Sequence, residues 1–269
     1  MDGRMAVIGT GKMGEALLSG LLRAGTPATE LVAAVRDPER GQALRERHGV
    51  QVGDAVAATR AASTLILAVK PQDMNRLLDQ IGPHVSTDQL VVSAAAGITT
   101  ASIEERLTEG VAVVRVMSNT PVLVDEAMSA ISAGSHAGET ELARTEKLFA
   151  TVGQTIRVPE SRQDAVTALS GSGPAYFYYL VEAMTDAGLL LGLDRAVAHQ
   201  LVVQTAIGAA VMLRDSGEHP VTLREAVTSP AGTTGRAIRE LENHGVRAAF
   251  LAALEAARDR SRELAAGRE

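Results

Sequence analysis

No cysteine occurs among the 269 residues. That excludes disulfides, thiolate zinc sites, iron–sulfur clusters and cysteine nucleophiles, and it fits a reducing, cytoplasmic setting. Tryptophan is missing too. Only three tyrosines and three phenylalanines are present, four of the six in one run, Tyr176-Phe177-Tyr178-Tyr179. Basic residues do not exceed acidic ones: 26 Lys and Arg stand against 32 Asp and Glu, for a formal net charge of -6, and lysine occurs only at Lys12, Lys70 and Lys147. A nucleic-acid binder needs a basic excess and aromatics for stacking, so no nucleic-acid ligand is expected, and the aromatic run reads as core. The six histidines are scattered with no H-x-x-x-H or H-E pairing, so no metal is expected. No G-x-S-x-G nucleophile elbow with a supporting helix is present, and Gly171-Ser172-Gly173 lacks that spacing.

Two membrane signals are also lacking. The N-terminus has no charged segment followed by an apolar run and cleavage site, so no secretory signal is visible. The best candidate span, 196–213, has no acidic or basic residue but carries His199, Gln200, Gln204 and Thr205, which hydrocarbon penalises. A helix buried in a helical domain is expected there, and no membrane partner.

What is present is a change of pattern along the chain. Short apolar runs at 5–9, 31–35, 65–69, 90–94 and 111–116 alternate with amphipathic segments such as 15–24, 38–48 and 72–81. Two further strands are expected at 128–132 and 155–158, with a helix at 139–151 between them. Strand–helix alternation implies a mostly parallel, doubly wound α/β sheet with helices on both faces. After Pro159 strand signals stop. The segments 164–193, 195–213 and 246–264 are long, Ala- and Leu-rich and helical in period. The expected organisation is a dinucleotide-binding Rossmann-type domain at 1–160 and an all-α domain at 161–269. The 195–213 helix is apolar on most faces, which suits a helix buried all round. About 110 residues have little room to bury several such helices, so a partner subunit is expected to cover some.

The run Val7-Ile8-Gly9-Thr10-Gly11-Lys12-Met13-Gly14 is a G-x-G-x-x-G motif between an apolar strand and a helical stretch. Gly9 allows the tight turn, Gly11 leaves room for a pyrophosphate against the backbone, and Gly14 lets helix and strand pack closely. The phosphates would meet free N–H groups at the helix N-terminus. In NAD sites an acidic residue ends the second strand and binds the ribose hydroxyls. Here that strand ends Ala34-Val35-Arg36-Asp37-Pro38, with Arg36 first. A planar guanidinium suits a 2′-phosphate, which favours NADPH over NADH.

Ala68-Val69-Lys70-Pro71 follows the third apolar run, at the carboxyl end of a strand, where open α/β sheets bind ligands. Lys70 reads as a cofactor contact rather than a chemical group. Ser93-Ala94-Ala95-Ala96-Gly97 ends the next strand with small side chains, which either leave space for the nicotinamide half or permit close helix–sheet packing. In the helical half, Leu169-Ser170-Gly171-Ser172-Gly173-Pro174-Ala175 must be a kink or a close backbone approach. Thr228-Ser229-Pro230-Ala231-Gly232-Thr233-Thr234-Gly235 precedes a helical stretch. It is either an anion site for a small carboxylate or a simple cap formed by Thr233 or Thr234.

Taken together with Arg115-Val116-Met117-Ser118-Asn119-Thr120-Pro121, these segments resemble the pyrroline-5-carboxylate reductase family over nearly the whole chain. The resemblance implies hydride transfer from NADPH, or alternatively NADH, to the C=N bond of 1-pyrroline-5-carboxylate, giving L-proline in the last step of proline biosynthesis. It implies a helical domain interlocked with a second subunit, and homodimers that assemble further into decamers. It assigns Ile8, Gly9, Thr10, Gly11, Lys12 and Met13 to the pyrophosphate and Arg36 to the adenosine phosphate, with Gly14 in the same cofactor-binding turn. Ala68, Val69, Lys70 and Pro71, with Ala94, Ala95 and Ala96, fall to the ribose and nicotinamide, and Asn119 is a further cofactor-binding residue. Ser229, Gly232, Thr233 and Thr234 form the substrate-carboxylate loop, with Thr234 the side chain that assists catalysis.

The chain departs from the family pattern at Ser118, where proline is usual, at Ala231, where glycine is usual, and at Ala55, where asparagine is common. Two alternatives have their own discriminants. An imine or β-hydroxyacid reductase of the same plan would place a lysine in the helix opening the second domain, and 164–193 has none. A non-catalytic NADP-binding regulator would bind the dinucleotide without turnover.

Overall fold

The computed structural model describes residues 3–265. They fall into two compact units: residues up to Ser172 together with those from Ala257 onward, and Gly173–Ala256.

The first unit is built on one eight-stranded sheet. The strands are β1 (Met5–Ile8), β2 (Leu31–Ala34), β3 (Gln51–Gly53), β4 (Thr64–Leu67), β5 (Leu90–Ser93), β6 (Ala112–Met117), β7 (Ala127–Ala133) and β8 (Gly153–Arg157). Their order across the sheet is β3-β2-β1-β4-β5-β6-β7-β8. All pairings are parallel except β6 with β7. The helices are α1 (Lys12–Arg23), α2 (Pro38–His48), α3 (Ala55–Ala61), α4 (Pro71–Ile81), α5 (Thr100–Glu104) and α6 (Glu139–Phe149).

Burial on both faces explains the unbroken apolar runs. Every residue of β1, β2, β4 and β5 is buried, as parallel strands flanked by helices require. Alternate side chains serve opposite faces. Met5 and Val7 join a cluster with Leu17, Leu18 and Leu21 of α1 and Leu148 and Phe149 of α6. Ala6 and Ile8 join a second with Met74, Leu78 and Ile81 of α4 and Ile103 of α5. The strand β3 and the helices α3 and α5 were not expected. Each is short, and β3 carries a single large apolar residue, Val52, so periodicity could not find them.

The β1–α1 turn is as tight as its glycines suggest. Gly9 has φ +93, and a Cβ there would lie 2.8 Å from the Ala68 carbonyl. A Cβ on Gly14 would collide with the Gly9 carbonyl oxygen, whereas one on Gly11 would meet no atom within 4 Å.

Past β8, the chain runs through α7 (Gln163–Val166) and a π-helical turn, Thr167–Gly171. That turn is the expected break at Ser170-Gly171-Ser172, with the Ser172 N–H donating to the Thr167 carbonyl at 2.8 Å. The helices that follow are α8 (Gly173–Leu190), α9 (Arg195–Asp215), α10 (Pro220–Ala226), α11 (Thr233–Asn243) and α12 (Val246–Ala265).

Two expectations need correction here. The aromatic run is not core within the chain: Phe177, Tyr178 and Tyr179 are 69%, 66% and 74% exposed. The α9 helix is not buried all round either, since Val197, Leu201, Ile207, Val211 and Met212 are all exposed. Among the described residues it is the one helix long and apolar enough to cross a membrane by length and composition. The five helices of this part of the chain lack enough mutual surface to cover one another, the shortage its length foreshadowed.

Ala231 adopts φ +57, in the left-handed region, just before α11. For an L-residue this costs about 1–2 kcal/mol, whereas glycine costs about 0.4–1 kcal/mol through the unfolded chain. Ala231→Gly is therefore expected to leave stability unchanged or raise it by up to about 1 kcal/mol. Urea unfolding at fixed protein concentration measures this, and a loss of about 1 kcal/mol, the cost of a glycine inside a helix or strand, would contradict it.

Candidate active site

The order β3-β2-β1-β4-β5-β6 reverses direction between β1 and β4, and such a switch opens a crevice at the carboxyl ends of the strands. A cavity of about 580 Å³ lies there. Its floor is Ile8, Gly9, Thr10 and Gly11 from the β1–α1 turn. One wall is Ala34, Val35, Arg36 and Asp37 from the end of β2, with Arg40 of α2 and Asp54 and Ala55 behind it. The opposite wall is Ala68, Val69 and Lys70 after β4 and one face of α4.

Several groups in this cavity are fixed by their neighbours. Arg40 donates from Nη2 to the Thr10 carbonyl at 3.1 Å and pairs with Glu15, so it holds the glycine turn to α2. Glu15 also takes Arg47 at 2.8 Å and His48 Nε2 at 3.2 Å. Burial would push the Glu15 carboxyl up, but the hydrogen bonds from Arg40 and His48 and the charges of Arg40 and Arg47 outweigh it and hold it below its ordinary 4.5. Asp54 caps α3, its Oδ1 accepting from the Ala57 N–H at 2.8 Å. Lys70 is the N-cap of α4, and Pro71 occupies its first turn.

Of the residues singled out by sequence, Ile8, Gly9, Thr10, Gly11, Arg36, Ala68, Val69 and Lys70 line the cavity. Lys12 opens α1 and is exposed, Met13 packs on the core, and Gly14 is buried beneath the turn. Ala94 is half-buried, Ala95 buried and Ala96 exposed, at the end of the neighbouring β5 and outside the cavity lining. Asn119 lies elsewhere: its Nδ2 donates to the Ser170 carbonyl at 3.2 Å and its Oδ1 accepts from the Met128 N–H at 3.0 Å. One end of that amide ties the β6–β7 connection to the π-helical turn, and the other ties it to the start of β7. Of the departures from the family pattern, Ser118 accepts a hydrogen bond from Ser129 Oγ at 2.9 Å, and Ala55 sits in the cavity wall.

Sequence reasoning missed Arg40, Asp73 and Arg76. A signal existed for the last two. Asp73, Arg76, Leu77 and Gln80 are spaced i, i+3, i+4, i+7 and form the face that α4 turns to the cavity. For Arg40 no local signal was available, because its partner Glu15 lies 25 residues away.

The cavity suits a dinucleotide. Its volume falls within the ordinary range for small-molecule sites. A side chain at Gly11 would occupy the open space over the helix N-terminus, and three guanidinium groups, on Arg36, Arg40 and Arg76, line the cavity.

In the helical unit, Gly232 is the N-cap of α11 with no side-chain cap, and its N–H donates to the Ser229 carbonyl at 2.9 Å. Thr233 and Thr234 therefore lie inside the first turn rather than capping it. Their hydroxyls take no hydrogen-bond partner among the described residues.

Residues 160–264 match the family description "Pyrroline-5-carboxylate reductase dimerisation", and residues 4–97 match "NADP oxidoreductase coenzyme F420-dependent". Among curated relatives, the pyrroline-5-carboxylate reductase of Corynebacterium melassecola is 45% identical over 97% of this chain and 98% of its own. That of Methanosarcina acetivorans is 43% identical over 97% of both. Among solved structures, the enzyme from Coxiella burnetii matches with a TM-score of 0.94 at 33% identity, covering 98% of this chain and 99% of that one. A Plasmodium falciparum pyrroline carboxylate reductase with NADP bound matches with a TM-score of 0.86 at 27% identity, covering 98% of each. With kinship running the length of the chain in both sequence and backbone, the protein belongs to the pyrroline-5-carboxylate reductase family.

Proposed function

We propose that the protein is a pyrroline-5-carboxylate reductase that reduces the C=N bond of 1-pyrroline-5-carboxylate to L-proline, using NADPH, with NADH as the alternative reductant. The observation that carries this reading is its full-length identity with curated relatives of that name. We assign residues 1–160 to dinucleotide binding and 161–269 to substrate binding and dimerisation. A cytoplasmic location belongs to the same reading and is supported by the cysteine-free composition.

For the dinucleotide, Ile8 through Met13 take the pyrophosphate and Arg36 the adenosine phosphate. Ala68 to Pro71 and Ala94 to Ala96 take the ribose and nicotinamide half. Support comes from the open cradle over Gly11 and from the guanidinium groups lining the cavity. When bound, the reduced dinucleotide supplies the hydride.

The remaining work is positioning. A protonated cyclic imine is already electrophilic at carbon, and the product is a secondary amine, so no side chain needs to act as an acid or base. Ser229, Gly232, Thr233 and Thr234 hold the substrate carboxylate, using first-turn N–H groups that no side chain caps. Thr234 adds its hydroxyl. Orienting two reactants in a water-poor site can supply up to about 7–11 kcal/mol of barrier reduction, which makes geometry the main catalytic contribution of this chain.

An absorbance assay of nicotinamide oxidation with the imine, run with both cofactors, tests the activity directly. No turnover with either cofactor would leave a dinucleotide-binding regulator. Three further outcomes are expected. Arg36→Asp weakens NADPH far more than NADH, and equal losses would show that Arg36 does not contact the phosphate. Thr234→Ala removes one hydrogen bond to a charged group and lowers kcat/KM for the imine roughly tenfold to a hundredfold. A separate NADPH titration should stay nearly unchanged in that variant, and an abolished titration would mean the loop serves the cofactor. Sedimentation at micromolar concentration should show no monomer, because the exposed α8 and α9 side chains need a partner surface. A well-folded monomer would refute the interlocked assembly.

A further inference from the structure

Asp73 is the one acidic group in the cavity that touches two of its three arginines. It lies in the first turn of α4, 27% exposed, with Oδ1 2.5 Å from Arg76 Nη2 and Oδ2 3.7 Å from Arg36 Nη2. Both guanidinium groups are otherwise open to solvent, at 76% for Arg36 and 66% for Arg76. Arg40 is different, because it is committed to Thr10 and Glu15. The charge available to an incoming phosphate is therefore Arg36 and Arg76, and the one carboxylate of Asp73 contacts both, offsetting one of their two positive charges.

Resting on the NADPH reading above, we infer that Asp73 sets the cofactor preference: it competes with the adenosine 2′-phosphate for Arg36 and Arg76. The ion pairs are exposed, so they are weak and exchangeable rather than structural. A 2′-phosphate brings a charge of nearly two and three acceptor oxygens, and it draws the arginines from the carboxylate. A 2′-hydroxyl brings no charge and leaves the pairs in place. Asp73 thus lowers affinity for NADPH and leaves affinity for NADH unaffected. Its carboxylate, like Arg36, acts on preference and touches no reacting atom. Arg76 is the second phosphate ligand, one that sequence reasoning did not reach.

The test is equilibrium calorimetry without substrate, using NADPH, NADH, 2′,5′-ADP and 5′-AMP on the full chain. Asp73→Asn keeps the side-chain shape and removes its charge, and an unchanged thermal midpoint verifies the fold. It should tighten NADPH and 2′,5′-ADP about three- to tenfold, the scale of freeing two exposed ion pairs, and leave NADH and 5′-AMP unmoved. In an Arg36→Gln, Arg76→Gln background the same substitution should no longer affect NADPH, because the coupling runs through those two groups. Weaker NADPH binding in Asp73→Asn would overturn the proposal by showing that Asp73 preorganises the arginines. So would an equal shift for all four ligands, or a gain that survives in the double-arginine variant. If wild type binds NADPH and NADH equally, and Arg36→Gln with Arg76→Gln changes neither, the phosphate reading falls as well. If wild type binds none of the four, the dinucleotide reading itself has failed.

Discussion

The cofactor end of this protein depends on how tightly the chain turns from β1 into α1. The Gly9 carbonyl oxygen occupies the place that a Cβ of residue 14 would need. Because that contact is backbone on both sides, neither partner can yield by rotating a side chain. It brings the α1 N-terminus over the carboxyl end of β1 and leaves the backbone at Gly11 facing open space. The same closeness lets α1 bury Leu17, Leu18 and Leu21 against the sheet. One steric demand therefore shapes both the core on one face and the cradle at the strand ends.

The turn is also tied electrostatically. Glu15, one turn into α1, gathers Arg40, Arg47 and His48 from α2, and Arg40 reaches on to the Thr10 carbonyl. The wall formed by β2 and α2 is thereby linked to the floor of the cavity. A carboxylate near a helix N-terminus is favoured by the helix dipole, and the clustered cations hold it ionised. On the other side of the cavity the balance is different. Arg36 and Arg76 stay exposed around the half-buried Asp73, so that rim can exchange partners while the floor cannot.

Much of this was legible in the chain. The glycine spacing, the buried strands and the change of character after Pro159 follow from local periodicity, which a sequence displays directly. What stayed hidden has physical causes. The strand β3 pairs only with β2 and has three residues, too few to show a pattern. Arg40 matters through partners distant in sequence. Asn119 was expected beside the cofactor, but its amide is consumed by Ser170 and Met128, and no spacing reveals such pairing. The aromatic run at 176–179 misled in another way. Large apolar residues signal burial without saying whether the cover comes from the same chain or from another.

That last ambiguity bears on the helical half. A contiguous apolar surface larger than a few hundred Å² rarely stays open to water, and α8 and α9 together expose aromatic and aliphatic side chains along their whole length. Their match to a family description of dimerisation accounts for the exposure without invoking a membrane. Ala231 belongs to the same part of the chain. A non-glycine residue in the left-handed region persists where its surroundings over-determine it, and such strain gathers at ligand clamps. Here it leads into Gly232, where a Cβ would collide with Ser229, and then into a helix start with no side-chain cap. A chain optimised only for stability would relax the first feature and cap the last. Keeping both leaves the N–H groups and hydroxyls of Thr233 and Thr234 free, which is the arrangement a small carboxylate requires.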